Sequence, residues 1–235
     1  MSKKIKRGIF YAAGLLLLAM GITLNTKAGL GVSPIISVSY SISQILDSNF
    51  GNITFILYST FVGIEIILHI IINARNKRTK TKYDLKKAII MDILQLPLSL
   101  IFTRFMNLFS AFFPDFSTDF PGTFWGSIAG RVIVLIIAII LTGIGAVLSL
   151  DMRIIPNPGD GIVQAMSDFC GKKVGFVKNC FDLFNVCLTS TLCMISLGHI
   201  VGIGIGTLLA VIGVGRVMAF FNHFCLEKVS KMTGI

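Results

Sequence analysis

The chain of 235 residues is 54% hydrophobic and only 14% charged, whereas a soluble domain carries roughly a quarter charged residues. This composition excludes an ordinary soluble enzyme or binding domain and indicates a polytopic membrane protein whose first partner is the lipid bilayer. The formal net charge of +10 is therefore interpreted as loop charge that sets orientation, and no nucleic-acid partner is expected.

Six apolar segments are long enough to cross the bilayer, since a helix of about 20 residues spans the hydrocarbon core. They lie at about residues 8–25, 52–73, 87–110, 124–150, 175–197 and 200–222. The first resembles a signal peptide, with basic residues before an apolar run. We expect it to be retained as a membrane helix, because a related segment recurs in mid-chain, where it cannot be a signal.

Two further segments, at 32–46 and 157–170, are too short to cross the bilayer, since about three helical turns cover only about 20 Å. The first also alternates with period two, which is the pattern of a strand. An open strand leaves its backbone unpaired in a bilayer, so we expect both segments to be short non-spanning half-helices.

The starts of these half-helices have favourable capping chemistry. Ser33 and Asn157 each precede a proline at the first helical position, where capping side chains and proline are preferred. Asp160, three residues after Asn157, can complete a pair similar to a capping box. We expect the N-terminal ends to point at a solute, and Gly159 and Gly161 to let it approach the backbone closely.

The two halves of the chain share the spacing of their backbone-special residues. In each half a proline follows a glycine by 13 positions, and a second glycine follows 17 positions later. These residues are Gly21, Pro34 and Gly51 in the first half and Gly145, Pro158 and Gly175 in the second, an offset of 124. Because glycine frees the backbone and proline fixes it, the match indicates one substructure used twice.

Basic residues concentrate before the first segment, between the second and third, between the fourth and fifth, and at the C-terminus. The alternate connections are poor in basic residues, which predicts six crossings with both termini cytoplasmic. The expected fold is all-α, a 3+3 inverted repeat of residues 1–112 and 113–235. Arg104 and Arg216 match in the third helices, at an offset of 112. Inverted repeats with short broken helices are typical of secondary transporters.

Three sequence segments resemble the YitT/YczE-type family of small bacterial integral membrane proteins. They are KAGLGVSP after the first helix, NPGDG after the fourth and GIGIGTLLAVIGVGR in the last. The resemblance covers essentially the whole chain and implies a protein of the bacterial inner membrane. It brings no established substrate and no catalytic residues.

Glu65 lies near the middle of the second segment, where a charged carboxylate is costly and usually faces a cavity or a partner. His69 is one turn away on the same face. The two residues are candidates for a proton relay or a ligand contact. The alternative is a neutral, hydrogen-bonded Glu65 with His69 at the interface. Asp92 and Gln95, which precede a proline in the third segment, are interpreted as polar residues at a kink.

The fifth segment carries Asp182 with Asn179 and Asn185 at helical spacing, and this polar stripe is a candidate wall of a solute site. Tyr58 is the repeat partner of Asp182. We expect Asp182 and Glu65 to face one common cavity. The alternative for the stripe is hydrogen bonding between helices.

Arg104 and Arg216 have two interpretations that the sequence leaves open. Both can extend to lipid headgroups, or they can form symmetry-related contacts to an anion. The sequence has no metal-binding, nucleotide-binding or nucleophile motif, so we expect no enzyme, metal or cofactor.

The sequence therefore predicts a secondary transporter or permease for a small anionic or zwitterionic solute. The alternative is a membrane-embedded binding or accessory protein that depends on a partner. A homo-oligomer or a membrane partner stays open.

Overall fold

The computed structural model describes residues 2–79 and 84–234, whose regular secondary structure is α-helical. Six of the helices are long and apolar enough to cross a membrane, and each overlaps a predicted segment, although the fourth and sixth begin at 128 and 205 instead of at about 124 and 200. The chain is therefore an all-α multi-pass membrane protein. Lys80 and Lys82 of the predicted basic loop lie outside the described residues. The helices are α1 (Lys3–Ala28), α2 (Pro34–Ile45), α3 (Phe50–Thr79), α4 (Leu85–Phe112), α5 (Ile128–Asp151), α6 (Pro158–Cys170), α7 (Val174–Leu197) and α8 (Ile205–Thr233).

The two short segments are the helices α2 and α6, so the helical interpretation of the alternating first segment is confirmed. At the start of α6 the Asn157 side chain accepts a hydrogen bond from the Gly159 N–H, as predicted. Ser33 occupies the matching position before α2 but makes no side-chain capping bond, so that prediction is wrong. Asp160 completes no capping box, because its side chain is one methylene shorter than the glutamate that this motif uses.

Helices α1 and α5 cross in close contact and run antiparallel. Gly21 of α1 packs on Thr142, and Gly145 of α5 packs on Leu18. A Cβ atom at either glycine would overlap backbone atoms of the other helix, so the crossing requires residues without side chains. The higher-numbered end of each helix thus lies beside the lower-numbered part of the other.

Both termini lie at one end of the bundle, which we call the terminal end. Arg7 donates hydrogen bonds to the carbonyls of Met152, at 2.6 Å, and Arg153, at 2.9 Å. The Lys3 side chain lies against Gly234. At the opposite end Arg131 donates to the carbonyls that end α1, so the last carbonyls of that helix are satisfied by a side chain.

Each short helix packs mainly on a long helix from the other half of the chain. Helix α2 packs mainly on α7, whereas α6 packs mainly on α3. The long helices differ: α3 and α4 pack closely, but α7 and α8 have far less mutual contact among the described residues. This gap on one side of the bundle positions the candidate site.

Candidate functional site

A cavity of about 650 Å³ lies between the starts of α2 and α6. Its wall includes Leu18 and Thr142, the residues at the α1–α5 crossing. Each lies within roughly 5 Å of the midpoint of its helix, at 1.5 Å per residue. The starts of both short helices therefore reach the middle of the bundle.

Twelve residues of the wall form six pairs of equivalent positions, 124 residues apart. One member of each pair comes from the first half and the other from the second. The pairs are Leu18 and Thr142, Ile22 and Ala146, Ser33 and Asn157, Ile35 and Gly159, Ile36 and Asp160, and Tyr58 and Asp182. The cavity thus has the same elements of both halves on its two sides.

The cavity extends from this paired region toward the terminal end. Gln164, Val174 and Lys178 line that extension, and all three are exposed at the surface. The equivalent positions in the first half are Tyr40, Phe50 and Thr54. Thr54 is fully buried, and the rings of Tyr40 and Phe50 pack edge to face with centroids 5.8 Å apart. The matching positions of the first half are therefore more closely packed than this extension of the cavity.

Charge in the cavity comes from Asp160, Lys178 and Asp182, all of which line it. The Lys178 ammonium lies 3.3 Å from Oδ2 of Asp182. The other carboxylate oxygen of Asp182 has no hydrogen-bond partner, and the residue is only 7% exposed, so solvent does not replace the missing partner. With both carboxyl groups ionised the trio carries one net negative charge. A cationic group on a ligand would neutralise this charge.

The helix starts give the cavity a second polar region. The first N–H groups of an α-helix have no partner within the helix, and the Ser33 side chain caps none of those at α2. Ile35 and Ile36, in this first turn, line the cavity. At α6, by contrast, Asn157 accepts from Gly159 and Asp160 places a carboxyl in the first turn. The sequence favoured the Asn157–Gly161 end as the binding element, but the capping pattern makes the α2 end the better site for an anionic group.

Glu65 does not line this cavity, so the predicted common wall with Asp182 is wrong. Its side chain is 1% exposed, and its Oε2 accepts a hydrogen bond from Gln95 Nε2 at 2.6 Å. One turn away, His69 Nδ1 lies 2.7 Å from Asp92 Oδ2. The polar residues assigned to a kink in α4 are thus the partners of Glu65 and His69.

Gly161 also has a role other than the predicted one. A Cβ atom at this position would lie 2.8 Å from both carboxyl oxygens of Glu65 and 2.9 Å from Oε1 of Gln95. The glycine therefore lets α6 approach the buried Glu65–Gln95 pair instead of admitting a solute. Gly159, two residues earlier, does line the cavity.

The predicted stripe on α7 is only partly assembled. Asp182 and Asn185 are buried, and Asn185 donates to the carbonyl of Phe181 in its own helix. Asn179 is exposed and lies off this face. Each step of three residues turns by about 300° in a helix of 3.6 residues per turn, so six residues separate Asn179 from Asn185 by about 120°.

The matched arginines of α4 and α8 lie outside the cavity wall. Arg104 and Arg216 are both exposed, and Arg104 donates to Asn52 Oδ1 at 2.9 Å. This placement fits headgroup contact and leaves the anion-contact alternative without geometric support.

Sequence reasoning missed Lys178 as a member of the site, as well as the pairing roles of Asp92 and Gln95. Signals for all three were present: Lys178 precedes Asp182 by four residues, and Asp92 precedes Gln95 by three, both spacings that share a helix face. Across residues 2–79 and 84–234, no group of three or more His, Cys, Asp or Glu residues could hold a metal ion.

Comparison with protein families gives one match, to a family described as "Family of unknown function (DUF6198)", over residues 5–223. No curated protein matches the chain. No solved structure matches it.

Proposed function

Because the chain belongs to the DUF6198 family of unknown function, its activity must be inferred from its own site: we propose a secondary transporter for a small zwitterionic solute. It works by alternating access in the bacterial cell membrane, and it is not an enzyme. The observation that carries this proposal is the central cavity lined by equivalent residues of both halves. Transporters built from inverted repeats place their sites there.

Two contacts support an inverted repeat. Gly161 of α6 lies against Glu65 of α3, and Ser37 of α2 lies 2.8 Å from Thr189 of α7, oxygen to oxygen. Adding 124 to Ser37 gives Gly161, and adding 124 to Glu65 gives Thr189. Each contact thus joins the same two positions of the repeat: in one the short helix belongs to the first half and the long helix to the second, and in the other the halves are exchanged. The antiparallel crossing of α1 and α5 gives the halves opposite directions.

The starts of α2 and α6 lie beside the midpoints of two crossing membrane helices, which supports re-entrant half-helices. A connector lying flat at the headgroups would not reach this level. Irregular backbone at such depth is tolerated where it lines a cavity, and both starts do so. The resemblance of three sequence segments to the YitT/YczE-type family, which implies a protein of the bacterial inner membrane, is also part of the proposal.

The charge and size of the cavity favour the zwitterionic class over a simple anion. A cationic group would fit beside Asp160 and Asp182, and an anionic group would accept from the first turn of α2. The other walls are largely apolar, including Leu18, Ile22 and Met218. A volume of about 650 Å³ is in the range of small-molecule sites. The solute therefore combines both charges with an apolar part.

A matched set of probes tests this binding class on the purified protein. Leucine carries both charges, 4-methylpentanoate only the negative one and 3-methylbutylamine only the positive one. We expect leucine to raise the unfolding temperature most and Asp182→Asn to remove that shift. Equal shifts from all three probes, or none, would contradict a zwitterion site.

Uptake by the protein reconstituted alone into liposomes tests transport itself. We expect radiolabelled leucine to enter the liposomes, and an Asp182→Asn protein to lose that uptake. Binding without uptake would instead favour the membrane-embedded binding or accessory protein, whose flux depends on a partner.

Orientation is the last element of the proposal. Basic residues cluster at the terminal end, and Asp115 and Asp119 lie in the loop at the opposite end, which favours cytoplasmic termini. In a cysteine-free background, Asp119→Cys should react with an impermeant maleimide in intact cells, whereas Lys172→Cys should not. The reverse pattern would overturn this orientation.

A further inference from the structure

The four polar residues that join α3 to α4 form a connected set outside the cavity. Gln95 donates to Glu65, and Asp92, three residues before Gln95 on the same helix, pairs with His69. The His69 side chain is 14% exposed, whereas Glu65 is 1% exposed. The set therefore runs from a partly accessible imidazole toward the terminal end to a fully buried carboxyl group in mid-helix.

From this arrangement we infer that Glu65 is a proton-carrying site that couples proton movement to the position of α6. The proton moves between the imidazole of His69 and the carboxyl group of Glu65, which lie one helical turn apart on α3: the acceptor gains one proton as the donor loses one. The inference deepens the proposed function, since it names the coupling ion of that transporter.

Burial and bonding favour the protonated form of Glu65 in this conformation. One carboxyl oxygen has a single amide partner and the other has none. An ionised carboxylate with so few donors is costly in a membrane interior.

Within residues 2–79 and 84–234, no cationic side chain pairs with Glu65. Of the helices packed on α3, α2 has no charged residue, and α6 carries only Asp160 and Asp168. Helix α4 contacts Glu65 through Gln95, and its Asp92 pairs with His69.

Gly161 links this site to the cavity. It lies in the first turns of α6, directly against both oxygens of Glu65, and the neighbouring residues Gly159 and Asp160 line the cavity on the other side. Loss of the Glu65 proton would place a negative charge beside the positive end of the α6 dipole. The charge then attracts and reorients the same helix start that contacts the solute.

The test follows α6 directly and needs no transported solute. Val163→Cys places a thiol on α6 in the cavity wall of a cysteine-free protein, and Lys172→Cys places one on the surface. N-ethylmaleimide labelling is measured in detergent from about pH 5 to about pH 9, which covers the titration of buried glutamates. The ratio of the two rates removes the pH dependence of thiol chemistry.

We expect this ratio to change about tenfold or more with pH in the parent protein and to stay flat with Glu65→Gln, whose amide imitates the protonated acid. Glu227→Gln, which removes an exposed carboxylate on α8, should leave the change intact. A flat ratio in the parent, or a change abolished by Asp182→Asn and not by Glu65→Gln, would overturn the inference. Infrared spectra supply a second readout: the carbonyl band of a protonated carboxylic acid should disappear in Glu65→Gln.

These outcomes separate the inference from the proposed function. Failure of leucine uptake would leave the pH response of Val163→Cys unchanged. Loss of that response alone would remove proton coupling and leave a solute transporter that uses another ion or none.

Discussion

The α3–α4 side of the bundle and the α7–α8 side consist of residues that match at fixed sequence offsets, yet only the first pair of helices is closely packed. Phe102 and Met106 of α4 are 2% and 0% exposed. Their equivalents in α8, Val214 and Met218, line the cavity. The same helical arrangement thus accommodates both a closed and an open pairing. In the alternating-access proposal, a second conformation would have α7 and α8 closely packed and α3 and α4 separated.

The two sides differ in chemistry as well as in packing. The closed side contains Glu65, His69, Asp92 and Gln95, which join its helices through side-chain contacts. At the equivalent positions of the open side stand the uncharged Thr189, Cys193, Gly204 and Thr207. The difference teaches that matching positions of the two sides carry different chemistry: the titratable side chains are on the α3–α4 side, and under the proposed function they drive the movement.

The largest expected effect compares Lys178 with its equivalent, Thr54. The Lys178 side chain is 50% exposed, while Thr54 is fully buried and donates to Ser39 Oγ at 3.1 Å. In a cysteine-free protein, we expect Lys178→Cys to react with a maleimide at least about tenfold faster than Thr54→Cys. Reaction at the buried position requires local opening, and about 1.4 kcal/mol of opening corresponds to this factor.

Unfolded protein would make both cysteines reactive, so the comparison includes the buried native Cys193 restored alone. Its rate should stay low in folded samples. Equal fast rates at positions 54 and 178 with a protected Cys193 would mean that the two ends are equally open. The asymmetric state would then be wrong.

Most of the fold was predictable because hydrophobic length and backbone-special residues are local signals. Six spanning helices follow from apolar runs, and both short helices follow from their lengths and from the prolines at Pro34 and Pro158. The Asn157 cap was predictable for the same reason: its bond spans only two residues.

Contacts between distant helices were not predictable in this way. The sequence paired Glu65 with His69 because they share a helix face, whereas the nearest bonded partner of Glu65 is Gln95, 30 positions away. Gly161 was assigned to a solute because it follows the α6 start. Helix rotation instead directs it to Glu65, and rotation is set by packing that no single segment encodes.

A smaller effect is expected for Gly161→Ala, which tests the contact that joins the closed side to the cavity. Replacing a helical glycine by alanine gains up to about 1 kcal/mol in helix propensity, but here the methyl group overlaps the Glu65–Gln95 pair. We expect a net loss of about 1 kcal/mol in the free energy of unfolding, measured by titration with sodium dodecyl sulfate.

Gly159→Ala is the matched control, because its methyl group would meet atoms no closer than 3.5 Å. It should retain the propensity gain and leave stability unchanged or slightly higher. Adding Glu65→Ala to Gly161→Ala should reduce the loss by making room. Equal effects of the two glycine substitutions would place Gly161 away from Glu65.

The smallest effect is expected at Thr189, the equivalent of Glu65 on the open side. Thr189→Val keeps the shape of the side chain and removes its hydrogen bond to Ser37, whose hydroxyl still donates to the Pro34 carbonyl at 2.6 Å. Hydrogen bonds between membrane helices contribute about 0.6 kcal/mol on average, so the loss on detergent titration should be of that size. Thr191→Val, which removes only a bond within α7, is the control. A loss of several kcal/mol at Thr189 would show that the α2–α7 contact is as critical as the contact of α6 with Glu65, and the assignment of the driving chemistry to one side of the bundle would fail.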